Sequence, residues 1–242
     1  EDKLDNTGYI TLTRQMGLMR EMQVVANNIA NAATSGFRQE GLGFSEYVQD
    51  IKGGGSLSMG NGNVRQTSLV QGALSETGGT FDFAIEGDGF FLIETPEGER
   101  LTRAGSFTPN GEGDLVTFDG HRVLDAGGAP IFIPPNSGSI GVGPDGTISA
   151  NGQFVGQVAI VQPNDTTNLI RENGVMFRAD DGFEPAEMAR VLQGFVEASN
   201  VDPISQLARM IEVQRAYEMG QSFLDSEDER VRRSMDAMMK SN

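Results

Sequence analysis

Cysteine and tryptophan are absent from this sequence, histidine occurs once, and basic residues are scarce. Eighteen Lys and Arg (18) stand against 34 Asp and Glu, for a net charge of −16. The lack of cysteine excludes disulfides, a thiolate nucleophile and a Cys-based zinc site, and leaves the compartment open. A nucleic-acid partner needs Lys and Arg to displace phosphate counterions, so this charge argues against one. The same sign disfavours an anionic membrane surface. No apolar run approaches the roughly 20 residues that span a bilayer, so membrane insertion is not expected. The N-terminus carries no basic cluster followed by an apolar stretch, so export by a cleaved secretory signal is not expected either.

What is present divides by position. Hydrophobic residues make up 38% and charged residues 21% of the 242 positions, as in a folded chain, and the 32 glycines concentrate between residues 36 and 182. Short apolar runs lie between them: Phe81–Ile85, Phe90–Ile93, Arg100–Arg103, Leu115–Phe118, Arg122–Leu124, Ile131–Ile133, Ile140–Val142, Thr147–Ala150 and Phe154–Val161. The dipeptides Asn110-Gly111, Asp119-Gly120, Asp145-Gly146 and Asn151-Gly152 separate several of them, which is the pattern of hairpin turns. The ends are poor in glycine and read as helix. The fold class is therefore α+β, with a central irregular antiparallel β-domain between N- and C-terminal helices. Four segments follow: an N-terminal helix over 1–37, a Gly-rich extended arm over 38–75, the β-domain over 76–190, and a C-terminal helical segment over 191–242.

In the first helix Leu12, Met16, Met19, Gln23, Ala26 and Ala30 recur three and four apart, a heptad-like seam. The helix is expected to end near Gly36, a residue tolerant of positive φ. In the last, Ser199-Asn200 are capping candidates, Asp202 falls in the first turn and Pro203 near the first helical position. Ile204, Leu207, Ile211 and Gln214 carry the same spacing, which Val231, Met235 and Met238 resume after the acidic stretch at Asp225–Glu229. The two helices are expected to pair as a coiled-coil-like stalk. Narrow seams of Met and Ala bury little surface, and Gly8, Gly17 and Gly220 weaken the helices further. Order on packing against other copies is therefore expected, and docking on the β-domain is the alternative that periodicity leaves open.

No chemistry gathers anywhere. His121 has no second His or Cys with which to hold zinc. No serine sits in a G-x-S-x-G elbow. Asn110–Asp114 lacks the ligand series of a calcium loop, and Gly87-Asp88-Gly89 lacks the βαβ unit of a dinucleotide site. No catalytic residue, metal or cofactor is expected.

Ala26-Asn27-Asn28-Ile29-Ala30-Asn31 followed by Thr34, Gly36 and Phe37 resembles the N-terminal signature of the flagellar rod and hook axial proteins. Glu197–Val201 and Met210–Glu218 resemble the C-terminal signature of that family. Leu74–Gly89 with Phe90-Phe91, and Thr102–Phe107, resemble the blocks that open its β-domain. The resemblance implies a structural subunit of the basal-body rod, most similar to the proximal-rod members, with the distal-rod members as the alternative. It implies polymerisation with itself and with other rod proteins, head to tail, and transmission of torque from motor to hook. It also implies export as a largely unfolded chain by the flagellar type III apparatus. Assembly residues implied on this reading are Leu12, Met16, Met19, Ala26, Asn27, Asn28, Ala30, Asn31, Gly36, Phe37, Asn200, Ile204, Leu207, Ile211, Gln214, Arg215 and Tyr217.

Read without the resemblance, Asn27, Asn28 and Asn31 could bond neighbouring chains and fix register, or could form a solvated helix face. Two other classes compete. A secreted β-domain that binds a glycan or surface partner would use Tyr9, Tyr47 or Tyr217. A cell-wall hydrolase would need a pair of carboxylates that the sequence does not single out.

Overall fold

The computed structural model describes residues 2–51 and 55–240, with side chains described for 11–43, 65–233, 236 and 239. Residues 52–54 of the arm, residue 1 and the side chains of Tyr9, Tyr47, Met235 and Met238 lie outside the described set. The chain divides into two compact units. One takes residues 1–30, 40–66 and 202–242; the other takes 31–39 and 67–201.

The first unit contains helix α1, Asp2–Ala30, helix α2, Pro203–Lys240, and the strands β1, Glu40–Ile51, and β2, Gly55–Thr67. Within the glycine-rich arm β1 and β2 pair as a two-stranded sheet. Helix α2 starts one residue after Asp202, which caps it. Oδ1 of Asp202 accepts the Ile204 N–H at 3.2 Å, Oδ2 accepts the Ser205 hydroxyl, and the Asp202 carbonyl accepts the Gln206 N–H at 3.1 Å. The cap is therefore Asp202, with Pro203 in the first helical position where its missing N–H is of no consequence. Ser199 and Asn200 do not cap. Helix α1 stops at Ala30, short of the expected end, because Asn31 and Thr34 form a turn whose Thr34 N–H reaches the Asn31 carbonyl at 3.1 Å.

The second unit is all β. Its main sheet has the order β14-β15-β6-β5-β9-β8-β7, with β13 joined to β5 and β16 joined to β13. Short pairs β18-β3 and β17-β4 and a three-stranded sheet β10-β11-β12 complete it. In chain order these strands are β3 Leu74–Glu76, β4 Phe83–Glu86, β5 Phe90–Thr95, β6 Gly98–Thr102, β7 Phe107–Pro109, β8 Leu115–Thr117, β9 Arg122–Val123, β10 Ile140–Val142, β11 Thr147–Ala150 and β12 Gln153–Gln157. The remainder are β13 Ile160–Pro163, β14 Leu169–Glu172, β15 Met176–Ala179, β16 Phe183–Pro185, β17 Arg190–Gln193 and β18 Phe195–Glu197.

Strand β5 explains where the core sits. Its continuous apolar run points Phe91 and Ile93 into one cluster, with Phe83, Phe107 and Leu115, and Phe90 and Leu92 into a second, with Leu101 and Phe177. A strand buried on both faces reads as an unbroken apolar run instead of an alternation. Between β11 and β12, Asn151 and Gly152 take φ of 52° and 77°, the two positive values a type I′ hairpin requires. Two expectations fail here. Residues 154–161 are not one strand but β12 and β13, because Val158 and Ala159 cross from the small sheet to bond Gly146 and Leu124. Residues 131–133 make only an isolated bridge, Phe132 with Asp114.

Candidate assembly interface

Two constructions hold the residues that the sequence singled out, one in each unit. In the first, α1 packs on α2, with Val24, Val25 and Val213 buried and polar contacts joining the pair. Arg209 Nε donates to Glu21 Oε1 at 2.7 Å, which raises the Arg209 pKa, with burial acting the other way. Gln15 Nε2 donates to the Tyr217 carbonyl at 2.9 Å. Asn28 is 1% exposed. Its Nδ2 donates to the Glu40 carbonyl at 2.8 Å and to Gln206 Oε1 at 3.1 Å, and its Oδ1 accepts the Glu40 N–H at 2.9 Å. One side chain thus joins α1, the start of β1 and α2.

The expected seam lies elsewhere on the same helices. Leu12 is 55%, Met16 59%, Ile204 79% and Leu207 52% exposed. Met19, Ala26, Ala30, Ile211, Gln214 and Arg215 are exposed too. The residues of α1 that bond α2 are Gln15, Glu21 and Asn28, and of these Glu21 and Asn28 lie on the other side of the cylinder from the seam at about 100° per residue. Asn27 and Asn31 are half-buried and Tyr217 is half-buried with its carbonyl engaged. Asn31 Oδ1 accepts the Thr34 hydroxyl at 3.2 Å.

The second construction surrounds Glu197, 1% exposed. Its Oε1 accepts from Arg38 at 2.9 Å and from the Gly72 N–H at 2.9 Å, and its Oε2 accepts from Arg103 at 3.0 Å. Arg103 also donates to the carbonyls of Ile85, at 3.2 Å, and Gly87, at 2.6 Å, and Arg38 donates to the Val70 carbonyl. Burial pulls the Arg38 pKa down to about 10 and lowers that of Arg103, with Glu197 opposing both shifts. Two guanidinium groups share one carboxylate. Around this centre the loop 31–39 is stitched down. The Gly36 N–H reaches the Glu197 carbonyl at 2.7 Å, and Asn200 Oδ1 accepts the Gln39 N–H at 2.6 Å. Phe37 is fully buried, with the Arg171 guanidinium 4.4 Å from its ring centroid.

The structure therefore brings Gly36, Phe37 and Asn200 together inside the β unit, and Asn28 inside the helical unit. It leaves Leu12, Met16, Met19, Ile204, Leu207 and Ile211 facing solvent. Sequence reasoning did not single out Arg38, Arg103, Gln15, Glu21 and Gln206. Their only signal was a charge or amide next to apolar residues, as in Thr102-Arg103-Ala104. Among the described residues no cluster of His, Asp or Glu could hold a metal ion, and no helix is long and apolar enough to cross a membrane.

Three family models match in chain order: Flagella basal body rod protein over residues 9–38, the D1 domain of Flagellar hook protein FlgE/F/G over 84–150, and Flagellar basal body rod FlgEFG protein C-terminal over 192–237. The chain is 39% identical to the Flagellar basal-body rod protein FlgF of Caulobacter vibrioides, covering 99% of this chain and 100% of that one. It is 41% identical to the FlgF of Mesorhizobium japonicum over 87% and 88% of the two chains. The Flagellar basal-body rod protein FlgG of Bacillus subtilis is 32% identical over 91% and 94%. With the terminal signatures, the β-domain and nearly full-length similarity in agreement, the chain belongs to the flagellar basal-body rod protein family, which is a family of structural proteins and not of enzymes.

Proposed function

We propose that this chain is a structural subunit of the proximal part of the flagellar rod, polymerising with itself and with other rod proteins through its terminal helices. The observation that carries the reading is the exposed apolar back of both helices, Leu12, Met16 and Met19 on α1 and Ile204, Leu207 and Ile211 on α2. Six large apolar side chains in water on one pair of helices favour burial against further helices. Pairing of α1 and α2 as a coiled-coil-like stalk, repeated head to tail, makes heterologous contacts that build an open helical stack. In such a stack the terminal helices line an inner tube, and the β1–β2 arm bridges neighbours. A stiff stack passes torque from motor to hook. Delivery to the growing tip through the flagellar type III export apparatus belongs to the same reading, as does location in the periplasm-spanning basal body.

Identity with relatives named FlgF, 38–41%, against 30–32% for those named FlgG, favours the proximal over the distal position. The test is a cryo-EM reconstruction of purified hook–basal bodies. Density for α1, α2 and the β unit in the lower rod is the expected result. Density in the upper rod shifts the assignment to the distal protein, and a rod with no place for the chain overturns the reading.

A further inference from the structure

Helix α2 carries Gly220 in its interior, where alanine would be the better helix former. The reason lies across the helix pair: a Cβ at this position would stand 2.1 Å from Nε2 of Gln15. Glycine lets Gln15 lie flat on α2 and donate to the Tyr217 carbonyl at 2.9 Å. The amide is 6% exposed, and its Oε1 is buried with no hydrogen-bond partner. A buried acceptor left open is a standing cost, normally met by a partner. This one borders a groove of about 400 Å³ walled by Leu18, Ala216, Met219 and Phe223, with Arg14 also lining it. An occupant that fits must present apolar side chains and one neutral donor, since a second guanidinium would meet Arg14.

The chain carries such a surface. Ile204, Leu207 and Ile211 are exposed and, at about 100° per residue, fall within about 60° of one another on α2, with the exposed Gln214 one turn beyond Ile211. Gly220 and Phe223, which belong to the groove, point about 100° or more away from every ridge residue around the same helix, and Met219 stands at the groove's edge, one to two turns or more along the axis from the ridge. Ridge and groove therefore cannot meet within one chain, but can meet between two copies in a repeating contact. We infer that the Gln15–Gly220 notch receives the Ile204–Leu207–Ile211 ridge of a second copy, with the Gln214 amide donating to Oε1 of Gln15. The inference rests on the rod reading and specifies its partner surfaces.

Because the sequence holds no cysteine, introduced thiols are the only ones present. Full-length chains carrying Met219→Cys, on the exposed groove wall, and Ile211→Cys, on the exposed ridge, are made together in the flagellated bacterium in place of its own copy. Hook–basal bodies are then purified and oxidised. A covalent dimer of about twice 25.9 kDa in the mixture, and in neither variant alone, is the expected result. Both chains present in the basal bodies without that dimer overturns the contact while leaving the rod reading intact, and a link to a chain of different mass overturns the choice of a second copy. Absence of both chains from basal bodies, with the unsubstituted chain absent as well, overturns the rod reading and this inference with it. Gln214→Leu, on an exposed position that does not affect folding, is expected to lower the copies per basal body more than fivefold. Unchanged copy number with this variant overturns the inference independently of the thiols.

Discussion

Asn28 and Glu40 exchange two hydrogen bonds, the Asn28 side-chain amide donating to the Glu40 carbonyl at 2.8 Å and accepting its N–H at 2.9 Å. The amide acts as a short piece of strand laid against the first residue of β1. Only Asn and Gln offer a donor and an acceptor in this geometry. An Asn in a helix, ordinarily a poor helix former, is here the piece that fixes where the arm leaves the helical unit.

Asn28→Ala is expected to destabilise the helical unit by on the order of 2–4 kcal/mol, since it removes three hydrogen bonds from a buried site. Asn28→Asp keeps the acceptor, loses the donor and buries a charge, so it does no better. Chemical denaturation gives the stability, and amide exchange at Glu40 should accelerate in both variants. Unchanged protection at Glu40 would show that the pair is not formed in solution.

Glu197 balances two buried arginines, and Glu197→Gln removes that charge while keeping the shape. The expected loss is about 3–5 kcal/mol, the range for a buried pair that loses one partner. Thermal unfolding measures it. Restoration by Arg103→Met in the same chain would identify uncompensated charge as the cause, whereas an unchanged loss would point to the hydrogen bond with Gly72.

Gly36 takes φ of +72°, and a Cβ there would stand 2.3 Å from the Ala104 nitrogen. Gly36→Ala adds roughly 1–3 kcal/mol of backbone strain to that overlap. We expect the β unit to unfold at a lower temperature, with Phe37 losing its burial, and a melting curve unchanged from that of the parent chain would contradict the close approach.

Asp202 titrates below the usual carboxylate range because the Ser205 hydroxyl and the Ile204 N–H bond its charged form. A depressed folded pKa contributes stability above the unfolded value, and that contribution is lost as pH falls through the folded one. Helical signal from α2 should therefore begin to fray in acid below about pH 4, the ordinary aspartate range. Asp202→Ala should show the frayed signal already at neutral pH and no further acid step of this origin.

Serine replacements at Leu12, Met16, Ile204 and Leu207 touch only exposed side chains. Each should change the stability of the isolated chain by no more than about 0.5 kcal/mol. Incorporation into basal bodies and swimming in soft agar should nevertheless fall sharply. A loss of stability without loss of incorporation would place these residues in the fold and not in assembly.

Much of the architecture was legible in residue order. The glycine-rich turns with Asn151-Gly152 marked the β unit, the apolar run Phe90–Ile93 marked its central strand, and glycine-poor ends marked the helices. Strands β14 to β18 went unread because their sequences, such as Leu169–Glu172, mix charges into short apolar runs and gain their character only from their neighbours. The extended character of the arm was legible, but its pairing as β1 and β2 was not, since glycine lowers strand propensity and only pairing with another strand stabilises it.

By itself the sequence determined composition, the alternation of helix and strand segments, and the signatures that place the chain in its family. Periodicity also showed that Leu12, Met16 and Met19 share a stripe. It could not say which stripe of α1 meets α2, because a helix with small and polar residues on one side and Met and Leu on another offers two surfaces. The tertiary structure made that choice, turning Gln15, Glu21 and Asn28 to α2 and leaving the apolar stripe to solvent. It alone also brought Arg38 and Arg103 to Glu197, since contacts between residues so far apart in the chain are set by how the strands pair and carry no local signal in the sequence.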